Sequence, residues 1–307
     1  MGRRLRRPIF YRHMVLVCKM KKIIITGAAG KTGLSIIRGL ADQHFEVTAV
    51  IHRQNQAEIV FKAGAVHSVL ADYFDIETLR AAFMGKDAIY HICPNMSPDE
   101  LKIGMEMIKR CQEAGVSQFV YHSVLHPHAS KMAHHWQKLL VEEKLFESGL
   151  NYTILQPTAY MQNILGYAAS INQGIYPMPY PVTSRLSLLD LADLAEAAVQ
   201  IFKSDRYNHA TYELVGTPPL SQVEVAEAIS IATGGSVRAV EVPLSEWEDK
   251  ARASEMAEYT RTTLKSMFEY YRDFGLSGNP NTLSWLLGRA PTTLSQFLTR
   301  EFNSSKD

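Results

Sequence analysis

The chain has 307 residues, 46% of them apolar and 21% charged, which are values of an ordinary folded protein and exclude wholesale disorder. The length suits one large domain, or one domain with a smaller lobe, and no run of about 18 apolar residues marks a membrane-spanning helix. The net charge of +1 conceals a split: residues 1–20 hold six basic residues and no acid, which leaves 26 basic against 31 acidic residues in the remainder. An acidic body is not that of a nucleic-acid binder, so neither nucleic acid nor a membrane is expected as its partner. Three cysteines, Cys18, Cys93 and Cys111, lie far apart, form no disulfide framework and fit a reducing, cytoplasmic setting.

Residues 1–19 read as a disordered basic leader outside the fold. An organellar import segment or an arm touching nucleic acid or membrane is the alternative, although the leader lacks the serines of a transit peptide.

From Lys21 onward short apolar runs alternate with helical patterns. Lys22–Thr26 predicts a buried strand, and Leu34, Ile36, Ile37 and Leu40 recur at helical spacing in a predicted helix over 32–43. Further strands are predicted at 46–51, 66–70, 87–92, 118–122 and 152–156, the last stopped by Pro157. Helices are predicted at 54–63, 77–83, 101–114 with Gly115 as C-cap, and 132–147. Six βα repeats with short connections predict a Rossmann-type doubly wound parallel sheet over 20–157. Residues 158–307 then form a smaller α+β lobe for substrate, with some segments packing back on the sheet. In it YPMPYPV reads as an extended connector, 189–202 as an apolar helix and 211–215 as a strand. A helix over 221–233 carries the capping pair Ser221 and Glu224, 238–242 is a short strand, and 245–275 and 292–302 are mostly helical.

The sharpest motif is TGAAGKTG, with Gly27, Gly30 and Gly33 in GxxGxxG spacing between a strand and a helix. Gly27 permits the turn off the strand, Gly30 leaves room for phosphate oxygens at the backbone, and Gly33 lets the helix pack closely. The helix N-terminus then offers free N–H groups and partial positive charge to a pyrophosphate. The loop, with Ala29, Lys31 and Thr32, is therefore expected to bind a dinucleotide, and its register is not that of a Walker loop.

After the second strand stand His52 and Arg53, with no acid until Glu58. An acid there would hold an adenosine ribose, whereas a base accommodates the 2′-phosphate. NADP(H) is therefore expected over NAD(H), with Lys31 adding charge, unless Arg53 is simply a solvated loop residue. Asp72 after the third strand either bonds adenine or caps the next turn. Cys93 and Pro94 after the fourth strand, and Pro157 after the sixth, lie where the cofactor should run.

The glycine loop, the Arg after the second strand and the βα series resemble short-chain dehydrogenases/reductases. More specifically, YHSVLHP, HHWQK, YTILQPTAYMQN and LLGRAPTTLSQFL resemble the NmrA-like branch of atypical members, over about residues 21–303. The resemblance implies a Tyr-x-x-x-Lys pair with an upstream Ser, in which Tyr donates a proton and Lys lowers its pKa and holds the nicotinamide ribose. None of the 14 tyrosines has Lys four residues on. In that place stands HHWQK, with His134 and Lys138 sharing a helical face, and Ser123 ends the fifth strand where the superfamily's Ser belongs. Two readings follow. Either the protein is an NADP(H)-dependent oxidoreductase of a small carbonyl or quinone, with His134 as acid at an imidazole pKa near 6.5, Lys138 and Ser123; or it is a non-catalytic redox sensor that reports NADP binding to a protein partner. Five histidines, His122, His126, His128, His134 and His135, cluster nearby without metal-ligand spacing, so no metal is expected. Tyr160, Met161 and Asn163 could face the nicotinamide end, and Tyr176, Met178 and Tyr180 could wall a substrate pocket or be ordinary packing.

Overall fold

The computed structural model describes residues 20–303, so the basic leader lies outside the described residues. Six βα-linked strands, β1 (Lys22–Ile25), β2 (Glu46–Ile51), β3 (His67–Leu70), β4 (Ala88–His91), β5 (Gln118–His122) and β6 (Tyr152–Pro157), join one later strand, Ala210–Leu214, in a seven-stranded sheet. Its order is Ala210–Leu214, β6, β5, β4, β1, β2, β3, and every pairing is parallel. Consecutive strands run outward from β1 in both directions, so the order reverses between β1 and β4. That reversal opens a crevice at their carboxyl ends.

Alternate residues of each central strand face opposite layers, as the period of two requires. Ile23, Ile25, Tyr90 and Val120 pack on helices α1 (Lys31–Ala41) and α2 (Ala57–Lys62) and on the later helix Leu191–Lys203. Ile24, Ile89, Phe119 and Tyr121 pack on α3 (Ile76–Phe83), α4 (Glu100–Ala114) and α5 (Ala133–Glu147). Both layers are dry, which explains the near-continuous apolar strands.

The smaller lobe has its own core around Met161, Tyr176, Met178, Val225, Tyr271 and Phe297. Ser221 and Glu224 form the predicted capping box: the Ser221 hydroxyl accepts the Glu224 N–H at 3.2 Å, and the Glu224 carboxylate accepts the Ser221 N–H at 2.7 Å.

Three segments differ from expectation. The strand expected in the lobe at 211–215 is the Ala210–Leu214 strand at the edge of the main sheet, because helix Leu191–Lys203 carries the chain back across the sheet face after β6. The expected YPMPYPV connector contains the strand Ile175–Met178, which pairs in parallel with Arg238–Glu241. Pro177 is tolerated there because a two-stranded ribbon leaves one edge of each strand without a ladder. Helix Asn281–Leu287 was not foreseen; Leu283, Leu286 and Leu287 bury it on the sheet's core.

The LLGRAPTT stretch is explained by two fully buried carboxylates, Asp190 and Asp193, which need partners to remain charged. Asp193 accepts from Arg289 at 2.8 Å, from the Thr292 N–H at 2.6 Å and from the Thr292 hydroxyl at 2.9 Å. Asp190 caps helix Leu191–Lys203 and accepts from Arg300 at 2.8 Å and Gln162 at 2.7 Å. The C-terminal segment is thus clipped onto the helix that covers the sheet.

Candidate functional site

Thr26 leaves β1 into Gly27, whose φ of +61° is one that L side chains rarely adopt. A Cβ at Gly27 would also lie 2.9 Å from Ile92. At Gly33 a Cβ would come within 2.4 Å of the Gly27 carbonyl and 2.6 Å of the Ala28 carbonyl, so only glycine lets α1 sit against the loop. Gly30 is the contrast: it is exposed, and a Cβ would meet only the Gly27 carbonyl at 3.4 Å. Gly30 is also the N-cap of α1, no side chain caps that end, and the first turn carries no acid. An open glycine in front of uncapped helix amides is a cradle that fits a pyrophosphate. Ala29 and Thr32 are half-buried around it, and Lys31 reaches out to donate to the Asn163 side chain. Burial holds the Lys31 ammonium below the usual lysine range.

Two residues that the sequence does not single out, Tyr73 and Gln56, shape the side of this cradle that faces the loops after β2 and β3. Tyr73, buried after β3, accepts the Gly27 N–H at 3.0 Å and stacks edge-on against His52, with ring centroids 4.4 Å apart. Gln56 accepts both the His52 and Arg53 N–H groups through one side-chain oxygen, at 2.9 and 3.1 Å, and so fixes the loop after β2. His52 is bound to the Ala71 carbonyl at 2.9 Å. A carbonyl only accepts, so that ring nitrogen carries the proton. Arg53 is exposed and has no ion pair among the described residues. Asp72 is engaged locally, accepting the Phe74 N–H at 2.9 Å. That Asx turn is the capping role, and it uses one of the two carboxylate oxygens.

The Lys138 side of the cleft is built differently. Lys138 of α5 donates to the buried Glu100 of α4 at 2.9 Å and to the His122 carbonyl of β5 at 3.3 Å. Glu100 also accepts the Tyr121 hydroxyl at 2.8 Å and the Cys93 thiol. Burial and the neighbouring Glu100 carboxylate push the Cys93 thiol far up, so it stays protonated and unreactive. Pro94 is exposed beside it, while Pro157 is buried with its carbonyl accepting the Leu125 N–H at 2.9 Å. Ser123 is buried and donates to Glu142, which also accepts from Gln156 at 2.9 and 3.0 Å. Its hydroxyl proton is therefore engaged by the Glu142 carboxylate of α5. Burial raises the Glu142 pKa, and the Ser123 and Gln156 bonds oppose that rise.

His134 does not meet the requirement for an acid. Burial, with His135 and Lys138 beside it, pushes it down to about 3, and its Nδ1 is buried without a partner. The expected value near 6.5 is thus corrected: at neutral pH the ring carries no spare proton. Its ring packs edge-on against His135, with centroids 4.5 Å apart. His122 is the other surprise. One ring nitrogen bonds the Tyr90 hydroxyl at 2.9 Å and the other the Tyr160 hydroxyl at 2.8 Å, and Tyr160 reaches Thr32 of the glycine loop. Met161, Tyr176, Met178 and Tyr180 are buried in the lobe's core, so they are packing and not an open pocket wall. Among the described residues no group of three or more histidines, cysteines or carboxylates is arranged to hold a metal, and no helix is long and apolar enough to cross a membrane.

The model of the NmrA-like family matches residues 19–302. An NAD(P)H azoreductase of Xenophilus azovorans is 27% identical over 278 residues, covering 90% of this chain and 96% of that protein. The NADPH-dependent quinone oxidoreductase QOR2 of Escherichia coli, solved with NADPH, superposes with a TM-score of 0.78 at 24% identity, covering 92% of this chain and 100% of that one. NmrA, a negative transcriptional regulator solved with NADP, superposes with a TM-score of 0.75 at 19% identity, covering 93% and 96%. Both superpositions show the fold.

Proposed function

The chain belongs to the NmrA-like family, and from that membership we propose that it is an NADP(H)-dependent reductase of planar conjugated acceptors, quinones first. The observation that carries the reading is Lys138, half-buried on α5 and bonded to the His122 carbonyl at the carboxyl end of β5, the same end of the parallel sheet at which the glycine loop leaves β1. The α1 N-terminus, Gly30 and Lys31 would hold the pyrophosphate, His52 and Arg53 the 2′-phosphate, and Lys138 the nicotinamide ribose. The bound cofactor supplies the hydride. Azo and quinone reduction by the relatives NAD(P)H azoreductase and quinone oxidoreductase 2 point to the same substrate class.

The missing acid narrows that class. The superfamily's tyrosine is absent, His134 is unprotonated at neutral pH, and Ser123 is committed to Glu142. A simple ketone needs a proton delivered as its alkoxide forms. A quinone delocalises the charge it receives and takes its proton later from water. The cleft as built is therefore suited to the second kind of acceptor. Two free, buried cysteines, Cys93 and Cys111, support work in a reducing cytoplasm.

The same missing acid favours one other reading, a sensor that binds NADP(H) without turnover and reports it to a protein partner. Oxidation of NADPH in the presence of a quinone panel, followed by absorbance, separates the two. Turnover on at least one quinone, lost in Lys138→Ala, supports the reductase. Tight NADPH binding without turnover on any of them supports the sensor.

A further inference from the structure

Lysine has three N–H donors, and Lys138 uses two of them inside the protein, on Glu100 and on the His122 carbonyl. Its side chain is 15% exposed, whereas that of Glu100 is 5% exposed. Glu100 is thus sealed beneath Lys138, and the ammonium keeps one donor that no described residue takes. Glu100 sits in the first turn of α4, where the helix end favours a carboxylate, and the Tyr121 hydroxyl and Cys93 thiol fix its position. The Tyr121 ring also lies under the Lys138 ammonium, 5.5 Å from its centroid.

The groups around Lys138 make Glu100 its principal counter-charge. From β4 and the loop after it come His91 and Cys93, from β5 Tyr121 and His122, and from α5 itself His134, His135 and Glu142. Burial holds His91 and His122 down to about 3 and His135 to about 4, so these rings carry no charge at neutral pH. Glu142 is the second carboxylate, and it is bonded by Ser123 and Gln156 instead.

We infer that Glu100 is the positioning residue of the cleft: it holds Lys138 in place with one N–H turned to the nicotinamide ribose, and it cancels the lysine's charge where hydride donation develops positive charge. The inference rests on the reductase reading for its second half only. Holding Lys138 is a property of the protein alone, and it explains why a lysine survives here without the tyrosine it otherwise serves.

The test uses the full-length protein with Glu100→Gln, whose amide oxygen still accepts from Tyr121, and with Glu100→Asp as a second variant should the first not fold. Three readouts are taken. Acetic anhydride labelling of Lys138 is read by peptide mass spectrometry with and without NADPH. NADPH affinity is read by fluorescence titration, and kcat and KM on a quinone by NADPH oxidation. In the wild type NADPH is expected to protect Lys138 from labelling. In Glu100→Gln the unliganded lysine is expected to label about tenfold faster, because a buried ion pair no longer restrains it. NADPH should bind about tenfold more weakly, as for one lost charge-assisted bond. The kcat should fall about ten- to hundredfold with the quinone KM unchanged. In a Lys138→Met background Glu100→Gln should add nothing further to Kd or kcat, since it acts through the lysine. Labelling of Lys138 equal to wild type in both Glu100 variants, or an effect of Glu100→Gln that persists undiminished without the lysine, overturns the inference. Failure of the wild type to bind NADPH would instead sink the reductase reading and leave the labelling result to judge the Glu100–Lys138 coupling alone.

Discussion

At the glycine-loop end of the cleft, the parts that matter lie within seven consecutive residues, Gly27 to Gly33, and nearly all of them are backbone. At the Lys138 end they come from the loop after β4 and from α4, β5 and α5, and all are side chains that satisfy one another: Cys93, Glu100, Tyr121 and Lys138. The first end is open, and no side chain caps its helix amides. The second is closed on itself, with one lysine donor to spare. A site made of backbone fails through geometry, because an atom added at Gly27 or Gly33 collides with backbone or a neighbouring strand's end. A site made of buried charges fails through imbalance, because removing one partner strands the other.

The largest effect should come from breaking the backbone end. In Gly33→Val the new side chain starts 2.4 Å from the Gly27 carbonyl and 2.7 Å from the Ala28 Cα, both backbone, so α1 must move away from the loop. NADPH binding is expected to weaken by more than about a hundredfold as the helix amides withdraw, with a clear drop in Tm. Gly30→Ala sharpens the point. Its Cβ meets only a 3.4 Å contact, so the melting curve should hardly change while NADPH titration still shows weakened binding, because the methyl occupies phosphate space. Equal affinity in Gly30→Ala and wild type would mean that the phosphates lie elsewhere.

The second effect belongs to the closed end and is read in pH. His91, His122 and His134 are pushed to about 3 and His135 to about 4, each mainly by burial. Their folded values lie below the unfolded value of about 6.5, so the unfolded chain binds more protons and stability falls as pH drops below that point. Each ring contributes a slope of up to about 1.4 kcal/mol per pH unit, which is large against a total stability of about 5–15 kcal/mol. Glu142 works in the opposite sense, since its raised value favours the folded state only while it stays protonated. The histidines outnumber it, so urea melts from pH 7.5 downward should show a steep loss of stability before ordinary carboxylates titrate. A flat profile down to pH 5 would show that these rings are solvated.

The same contrast governs what was legible in the sequence. The parallel sheet could be read because its strands are buried on both faces and its helices are periodic, and the glycine loop because Gly27 and Gly33 are steric requirements written in one place. Tyr73, Gln56 and Glu100 could not be read. Tyr73 finds the Gly27 amide from 46 residues away, and Glu100 looks like any acid in a first helical turn until Lys138 is folded onto it. His134 misled for the same reason: its spacing to Lys138 is right, but its protonation is set by burial among other histidines, which no spacing records. The Ala210–Leu214 strand was misplaced because its partner, β6, lies beyond an intervening run of lobe structure.

Arg53 probes a smaller term at the open end. It is exposed and unpaired, so Arg53→Ala should leave the fold untouched. A lost bond between charged groups is worth about 1.5–3 kcal/mol, which predicts about a ten- to hundredfold rise in the Kd for NADPH. The Kd for NADH, which lacks the 2′-phosphate, should not move. If both rise together, Arg53 contacts something common to the two cofactors, and the preference for NADP(H) has another source.

The smallest expected effect falls where the superfamily would place the proton donor. His134 is half-buried, neutral at pH 7, and its buried Nδ1 has no partner among the described residues. Replacing it with Phe keeps an aromatic ring against His135 and removes a buried polar atom that makes no hydrogen bond. That exchange should be neutral or stabilising by about 1 kcal/mol, and it should soften the acid-induced loss of stability, because one depressed imidazole is gone. Quinone reduction should keep its kcat within about threefold and its pH profile unshifted, since a group with no proton to give contributes no general-acid term. A fall of about a hundredfold or more, on the scale of a lost acid, would mean that His134 is re-exposed and protonated in the working complex, and that the closed end opens when the cofactor arrives.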